Sequence, residues 1–162
     1  MIIRAAQAGD APAIAALWNP VIRDTAITFN SQEKTAADVA GDIAARNAAG
    51  HAFLLAEKDG ALLGFAAYGQ FRGGPGYART GEHTIILGDG ARGRGVGRAL
   101  LGAIEDHARG ARMHMMFAGV SGENPSAVAF HERLGYLRIA VLAQVGWKFG
   151  RWMDLVLLQK RL

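Results

Sequence analysis

The chain has 162 residues, 51% hydrophobic and 20% charged, with a formal net charge of +4; this is the balance of one globular domain and excludes a disordered chain or two ordinary cores. It contains no cysteine, which excludes disulfides, thiolate metal sites and a cysteine nucleophile, so any group transfer must run directly between substrates or through another side chain. The basic residues are scattered without aromatic stacking positions among them, so nucleic acid is not an expected partner, whereas an anionic cofactor suits the positive field.

The N-terminus, Met1-Ile2-Ile3-Arg4, has no secretory pattern, and no apolar window reaches bilayer length. A cytoplasmic protein with no membrane partner is expected. Ile2 to Ala6 reads as a first strand. Asp10 as N-cap, with Pro12 just inside, predicts a helix carrying Ile14, Leu17 and Trp18 that breaks at Asn19-Pro20. Thr35, with Asp38 three residues on, predicts a capped helix ending near Gly50. Strands at Ala52 to Lys58 and Ala61 to Gly69 flank Asp59-Gly60, the clearest hairpin turn in the chain. A flexible segment from Arg72 to Tyr77 leads to a strand over Glu82 to Leu87. Beyond a glycine loop, Val96, Leu100, Ile104 and Ala108 recur at helical spacing. Met113 to Val120 reads as a strand and Pro125 to Leu134 as a helix ended by Gly135; the tail supplies strands at Leu137 to Gln144 and Trp152 to Gln159. Strands and helices alternate over residues 1–162 as one α/β domain, without linker or repeat.

Glycine is over-represented, at 22 residues, and the loop from Leu87 to Arg98 admits three parsings. Gly88, Gly90 and Gly93 match a dinucleotide fingerprint with Glu105 as its ribose acid, but Gly95 and Gly97 would then weaken the helix start by about 1 kcal/mol each. A Walker A loop fails because no Gly-Lys-Ser or Gly-Lys-Thr is present. The third parsing is Arg92-Gly93-Arg94-Gly95-Val96-Gly97-Arg98, leading straight into the amphipathic helix. Here each glycine lets backbone N–H groups approach a phosphate cluster that a Cβ would hold away, and the helix dipole adds to the attraction.

This segment resembles the acetyl-CoA signature of the GNAT superfamily, Arg/Gln-x-x-Gly-x-Gly/Ala. Asn124-Pro125-Ser126-Ala127 and Phe130-His131-Glu132-Arg133-Leu134-Gly135-Tyr136 resemble the superfamily's later helix, in the expected order. Trp18-Asn19, Asp24 to Phe29, Tyr68 to Arg72, Thr80 to Thr84 and Gln144 to Asp154 extend the similarity to the phosphinothricin and methionine sulfoximine N-acetyltransferases over nearly the whole length.

The resemblance implies a GNAT fold, a mixed and mostly antiparallel central sheet flanked by helices, acting with acetyl-CoA and without metal on the α-amine of a small amino-acid-like substrate. It implies that Arg92 to Arg98 and Asn124 hold the cofactor, and that the backbone of Ile85, Ile86 and Leu87 pairs with its pantetheine arm. Glu82 falls where the subfamily has its general base, and a carboxylate opening an apolar strand fits removal of a proton from an ammonium. His131 stands where many members have a tyrosine that protonates the thiolate, and a histidine can do so near neutrality. Arg72, Gly73, Gly74, Glu82, His83 and Thr84 would border the acceptor, with Arg72 offering a two-bond fork to a carboxylate or phosphinate. The aromatic tail, Trp147, Phe149 and Trp152, implies a homodimer. A protein, peptide or aminoglycoside acceptor, or a non-catalytic acyl-CoA-binding module, are the alternatives; Gly73 to Gly76 lacks the bulky and acidic residues common there in the subfamily, so no single acceptor is named.

Overall fold

The computed structural model describes residues 1–162. Seven strands, β1 (Ile2–Ala5), β2 (Phe53–Lys58), β3 (Ala61–Gln70), β4 (Thr80–Leu87), β5 (Met115–Ser121), β6 (Leu137–Lys148) and β7 (Arg151–Arg161), form one sheet in the order β1-β2-β3-β4-β5-β7-β6. Every neighbouring pair is antiparallel except β4 with β5. Helices α1 (Ala11–Asp24) and α2 (Ala36–Ala48) bury Ile14, Val39 and Ile43 against one face, with Phe53, Phe65 and Ile86. On the other face, α3 (Val96–Gly110) and α4 (Pro125–Arg133) bury Leu100, Leu101, Ile104 and Val128 against Tyr68, Met116 and Leu158. The expected α/β architecture is therefore present, with the sheet between two helical layers.

Local chemistry accounts for most boundaries. At α2, the Thr35 hydroxyl accepts from the Asp38 amide while the Asp38 carboxylate accepts from the Thr35 amide, closing the capping box read from the sequence. Asp59 and Gly60 have φ of 52° and 78°, the paired left-handed residues of a tight hairpin turn. Two expectations need correction. Helix α1 does not break at Asn19-Pro20 but continues to Asp24: an internal proline removes one helical hydrogen bond, while Ile14 and Ile22 anchor the turns on both sides of it in the core. Asp10 is not a side-chain cap for α1; its carboxylate accepts from the Gln7 amide and pairs with the Arg4 guanidinium at 2.8 Å.

The parallel pair creates the working part of the fold. Strands β4 and β5 are in register only from Thr80 opposite Met115 to His83 opposite Ala118. Beyond that, β4 runs on to Leu87 beside β3 alone, and β5 to Ser121 beside β7 alone. The sheet therefore splits between two adjacent strands, and the split opens towards the N-termini of α3 and α4.

Candidate active site

Two cavities meet at this split. The first, about 510 Å³, is lined by Ile85, Ile86 and Leu87 of β4, by Arg92, Gly93, Gly95, Gly97 and Arg98, and by the α4 face that includes Asn124, Phe130 and Arg133. Gly93 and Gly95 have φ of 72° and 78°, the left-handed backbone that turns successive N–H groups towards one point. Gly95 precedes α3 without a side-chain cap, and the first turn of α3 holds no acidic residue, so the helix start offers bare amides and a positive dipole end. The lining contains three arginines and no carboxylate, and Arg92, Arg98 and Arg133 take part in no ion pair. Such a set fits a polyanion such as the pyrophosphate of coenzyme A. At Gly97 a Cβ would meet Leu87 and Phe130 at 3.1 and 3.3 Å, so helix, strand and α4 pack too closely there for a side chain. Arg94 is exposed and Val96 is buried in the core; neither side chain lines the cavity. The dinucleotide parsing loses its acid, since Glu105 is buried and paired with Lys160 at 2.6 Å and Arg109 at 3.2 Å.

The second cavity, about 360 Å³, includes Glu82, His83 and Thr84 of β4, Gly119 to Ser121 of β5, and Trp18, Ile27 to Asn30 and Lys34 from the opposite helical layer. It shares Ile27, Ile85, Ile86, Asn124, Ala127 and His131 with the first. Glu82 and Lys34 are its only lining carboxylate and ammonium, and neither is in an ion pair. Lys34 lies over the Trp18 ring, 4.6 Å from its centroid. Burial raises the Glu82 carboxyl above its ordinary range, which makes its ionised form a better proton acceptor near neutrality. A Cβ at Gly119 would stand 2.9 Å from Glu82 Oε1; the bare β5 backbone leaves the carboxylate its place.

His83 and His131 stack with centroids 5.1 Å apart, each edge-on to the Tyr136 ring. His131 Nδ1 donates to the Ala127 carbonyl at 2.7 Å, because a carbonyl can only accept, and that leaves Nε2 as the lone-pair nitrogen of a neutral ring. Burial lowers the pKa of His131 and, with His131 beside it, pushes His83 down to about 3. Asn124 caps α4, its Oδ1 accepting from the Ala127 amide and the Ser126 hydroxyl.

Arg72, Gly73 and Gly74 line neither cavity; the Arg72 guanidinium lies over Tyr77, 5.8 Å from the ring centroid. Conversely, Lys34 and Arg133 were not among the residues expected from the sequence. Arg133 has a readable signal, the helical spacing Ser126, Phe130, Arg133 on one face of α4. Lys34 has none.

The family model of the acetyltransferase (GNAT) family matches residues 18–136. The L-amino acid N-acyltransferase MnaT of Escherichia coli is 36% identical over the whole chain and 94% of its own length. The L-methionine sulfoximine/L-methionine sulfone acetyltransferase of Salmonella typhimurium is 34% identical over the whole chain and 95% of its own length. Among solved structures, a ribosomal-protein-alanine N-acetyltransferase from Brucella melitensis superposes with a TM-score of 0.96 at 34% identity, both chains covered in full. A GNAT superfamily phosphinothricin acetyltransferase from Sinorhizobium meliloti, in complex with acetyl-CoA, superposes with a TM-score of 0.94 at 28% identity, over 99% of this chain and 88% of that one.

Proposed function

The chain belongs to the GNAT acetyltransferase family and is an acetyl-CoA-dependent N-acetyltransferase, and from that premise we propose that its acceptor is the α-amine of a small amino acid, attacked directly in a ternary complex. One observation carries this reading: an acid-free, arginine-lined cavity meets a second one holding a single carboxylate and a single ammonium. Those two charges match a zwitterion, the ammonium towards Glu82 and the carboxylate towards Lys34. At about 360 Å³, the second cavity sits at the low end of the roughly 300–1,000 Å³ of ligand pockets. Phosphinothricin, methionine sulfoximine and methionine sulfone are the first acceptors to try.

In this mechanism Glu82 takes a proton from the acceptor ammonium, freeing its lone pair. The nitrogen then attacks the thioester carbonyl carbon, the carbon–sulfur bond breaks with its electron pair leaving on sulfur, and the nitrogen releases its second proton to solvent to become the neutral amide. Arg92, Arg98 and Arg133 with the Gly93 to Gly97 amides hold the phosphates, and Ile85 to Leu87 offer an unpaired strand edge to the pantetheine arm. His131 can protonate the departing sulfur only as imidazolium, a form its burial disfavours, so its role in proton transfer is small and solvent completes the step. Arg72, which lines neither cavity, would act on the acceptor carboxylate only at long range, as part of the positive field that draws it towards Lys34. The exposed side chains of Val141, Trp147 and Trp152, on one side of β6 and β7, form an apolar face that suits a second copy of the chain.

The test is thiol release from acetyl-CoA against a panel of free amino acids, the three analogues above and an alanine-initiated peptide. The Brucella neighbour's name favours a protein acceptor, so turnover of the peptide alone would replace the amino-acid reading.

A further inference from the structure

The wall of the acceptor cavity contributed by residues 27–30 has little structure of its own. Residues 26–34 make no backbone–backbone hydrogen bond, and the links inside the stretch are hydroxyl and amide contacts such as Thr28 Oγ1 with the Asn30 amide, at 3.2 Å. Asn19 of α1 fixes the end of the stretch through the Lys34 amide and carbonyl, each at 2.9 Å, and the part up to Thr28 is held from the far end of the chain. Lys148, 4% exposed, donates from Nζ to the carbonyls of Ile22, Thr25 and Thr28 at 2.5, 2.7 and 2.8 Å. An ammonium has three donors and no acceptor, so all its bonding capacity is spent on this one segment. Ile22 lies in the last turn of α1 and Thr25 directly follows it, where carbonyls lack helical partners and the dipole favours a cation.

A second contact from the same strand is independent of charge. Gly146 precedes Lys148 by two residues and so shares its face of β6; a Cβ there would overlap the ring of Phe29. Phe29 lines the acceptor cavity. Strand β6 thus delivers one ammonium and one bare backbone to the same stretch.

We propose that Lys148 and Gly146 are positioning residues for the acceptor: they set the shape of residues 25–30 against which the amino acid binds, while standing outside the cavity themselves. The inference rests on the amino-acid reading above. This positioning affects acceptor binding more than cofactor binding, because Ile27 is the one residue of this stretch that also lines the first cavity, whose arginines and glycine loop lie after β4 and on α3 and α4.

Steady-state kinetics of Lys148→Met and Gly146→Ala test it. Both variants should raise the acceptor KM by about 10-fold or more with kcat changed much less, the pattern of lost ground-state binding, while the acetyl-CoA dissociation constant moves by about twofold at most. A folded variant with wild-type acceptor KM, even one that melts earlier, would overturn the proposal and leave Lys148 as a stabilising contact only. Should neither variant fold, resonance perturbation on the wild-type protein decides: adding the amino acid should shift the backbone amides of Gly146 and Lys148, which stand outside the cavity, and acetyl-CoA should shift them much less. Amides at Gly146 and Lys148 unmoved by the acceptor refute the clamp. A wild-type enzyme idle on every amino acid would instead remove the functional reading, a result distinguishable from wild-type turnover with unmoved KM in the variants.

Discussion

Gly119→Ala perturbs the proposed base without touching it chemically. The new Cβ would stand 2.9 Å from Glu82 Oε1, and its next neighbour, Leu155 Cδ1, is at an ordinary 3.6 Å. The clash is therefore relieved by moving the carboxylate about half an ångström, with no demand on the backbone, and Gly119 lies in extended β5 where alanine is unstrained. Because a misplacement of about 1 Å can cost roughly 10²-fold in rate, a shift of half that should lower kcat about 10-fold. Melting temperature and acetyl-CoA affinity should stay at wild-type values, since no buried apolar contact is lost. The assay is thiol release at saturating acetyl-CoA alongside a thermal melt. Wild-type turnover in the folded variant would mean that the Glu82 position is not tied to the rate, and the base would have to be sought elsewhere.

Glu82→Gln, which keeps shape but removes the basic lone pairs, should lower kcat by about 10²- to 10⁴-fold at neutral pH, with partial recovery as pH rises and the acceptor amine deprotonates unaided. The same substitution should raise stability: the folded-state carboxyl of Glu82 is shifted upward by burial, so its stabilising contribution is complete at acid pH and lost as pH rises through the folded pKa. Melts of mutant and wild type should diverge from acid towards neutral pH, and parallel curves would contradict that sign. Gly95→Val places a β-branched residue at φ of 78° in the amide nest and should weaken acetyl-CoA binding in calorimetry; unchanged affinity would take the loop out of the site. His131→Ala should lower turnover only modestly with acetyl-CoA affinity nearly unchanged, and a loss approaching that of Glu82→Gln would restore it as the proton donor. Light scattering at micromolar concentration should report two chains, whereas a fully active monomer would leave the apolar face of β6 without a partner.

What could be read from the residues, and what could not, divides by distance along the chain. The Arg92 to Arg98 loop and the Thr35–Asp38 box act through short spacings along the chain, and the structure contains each as a local arrangement. Glu82 was legible because a carboxylate is out of place at the head of an apolar strand. The break expected at Pro20 fails because tertiary burial of Ile14 and Ile22 outweighs one missing hydrogen bond. Lys34 and Lys148 were illegible for a related reason: one reaches the acceptor cavity from the opposite helical layer, and the other meets Ile22 across 126 positions. The end of β6 was also missed, since Gln144, at φ of 55°, lies in an irregularity between Leu142 and Gly146 that the strand passes through before continuing to Lys148.

The hairpin tip that carries Lys148 also carries Trp147, Phe149 and Trp152, all more than half exposed, with the Phe149 ring 5.0 Å from the Lys148 ammonium. If Lys148 sets the acceptor wall as proposed, anything that packs on those rings would stiffen the turn whose ammonium grips residues 22–28, and occupancy of the hairpin face and of the acceptor cavity would favour one another reciprocally. For a self-associating chain this makes apparent acceptor affinity a function of protein concentration: a stock diluted far below its association constant loses grip on the amino acid while keeping its hold on coenzyme A. Two laboratories assaying the same preparation at nanomolar and micromolar enzyme would then report different acceptor KM values, and both would be correct.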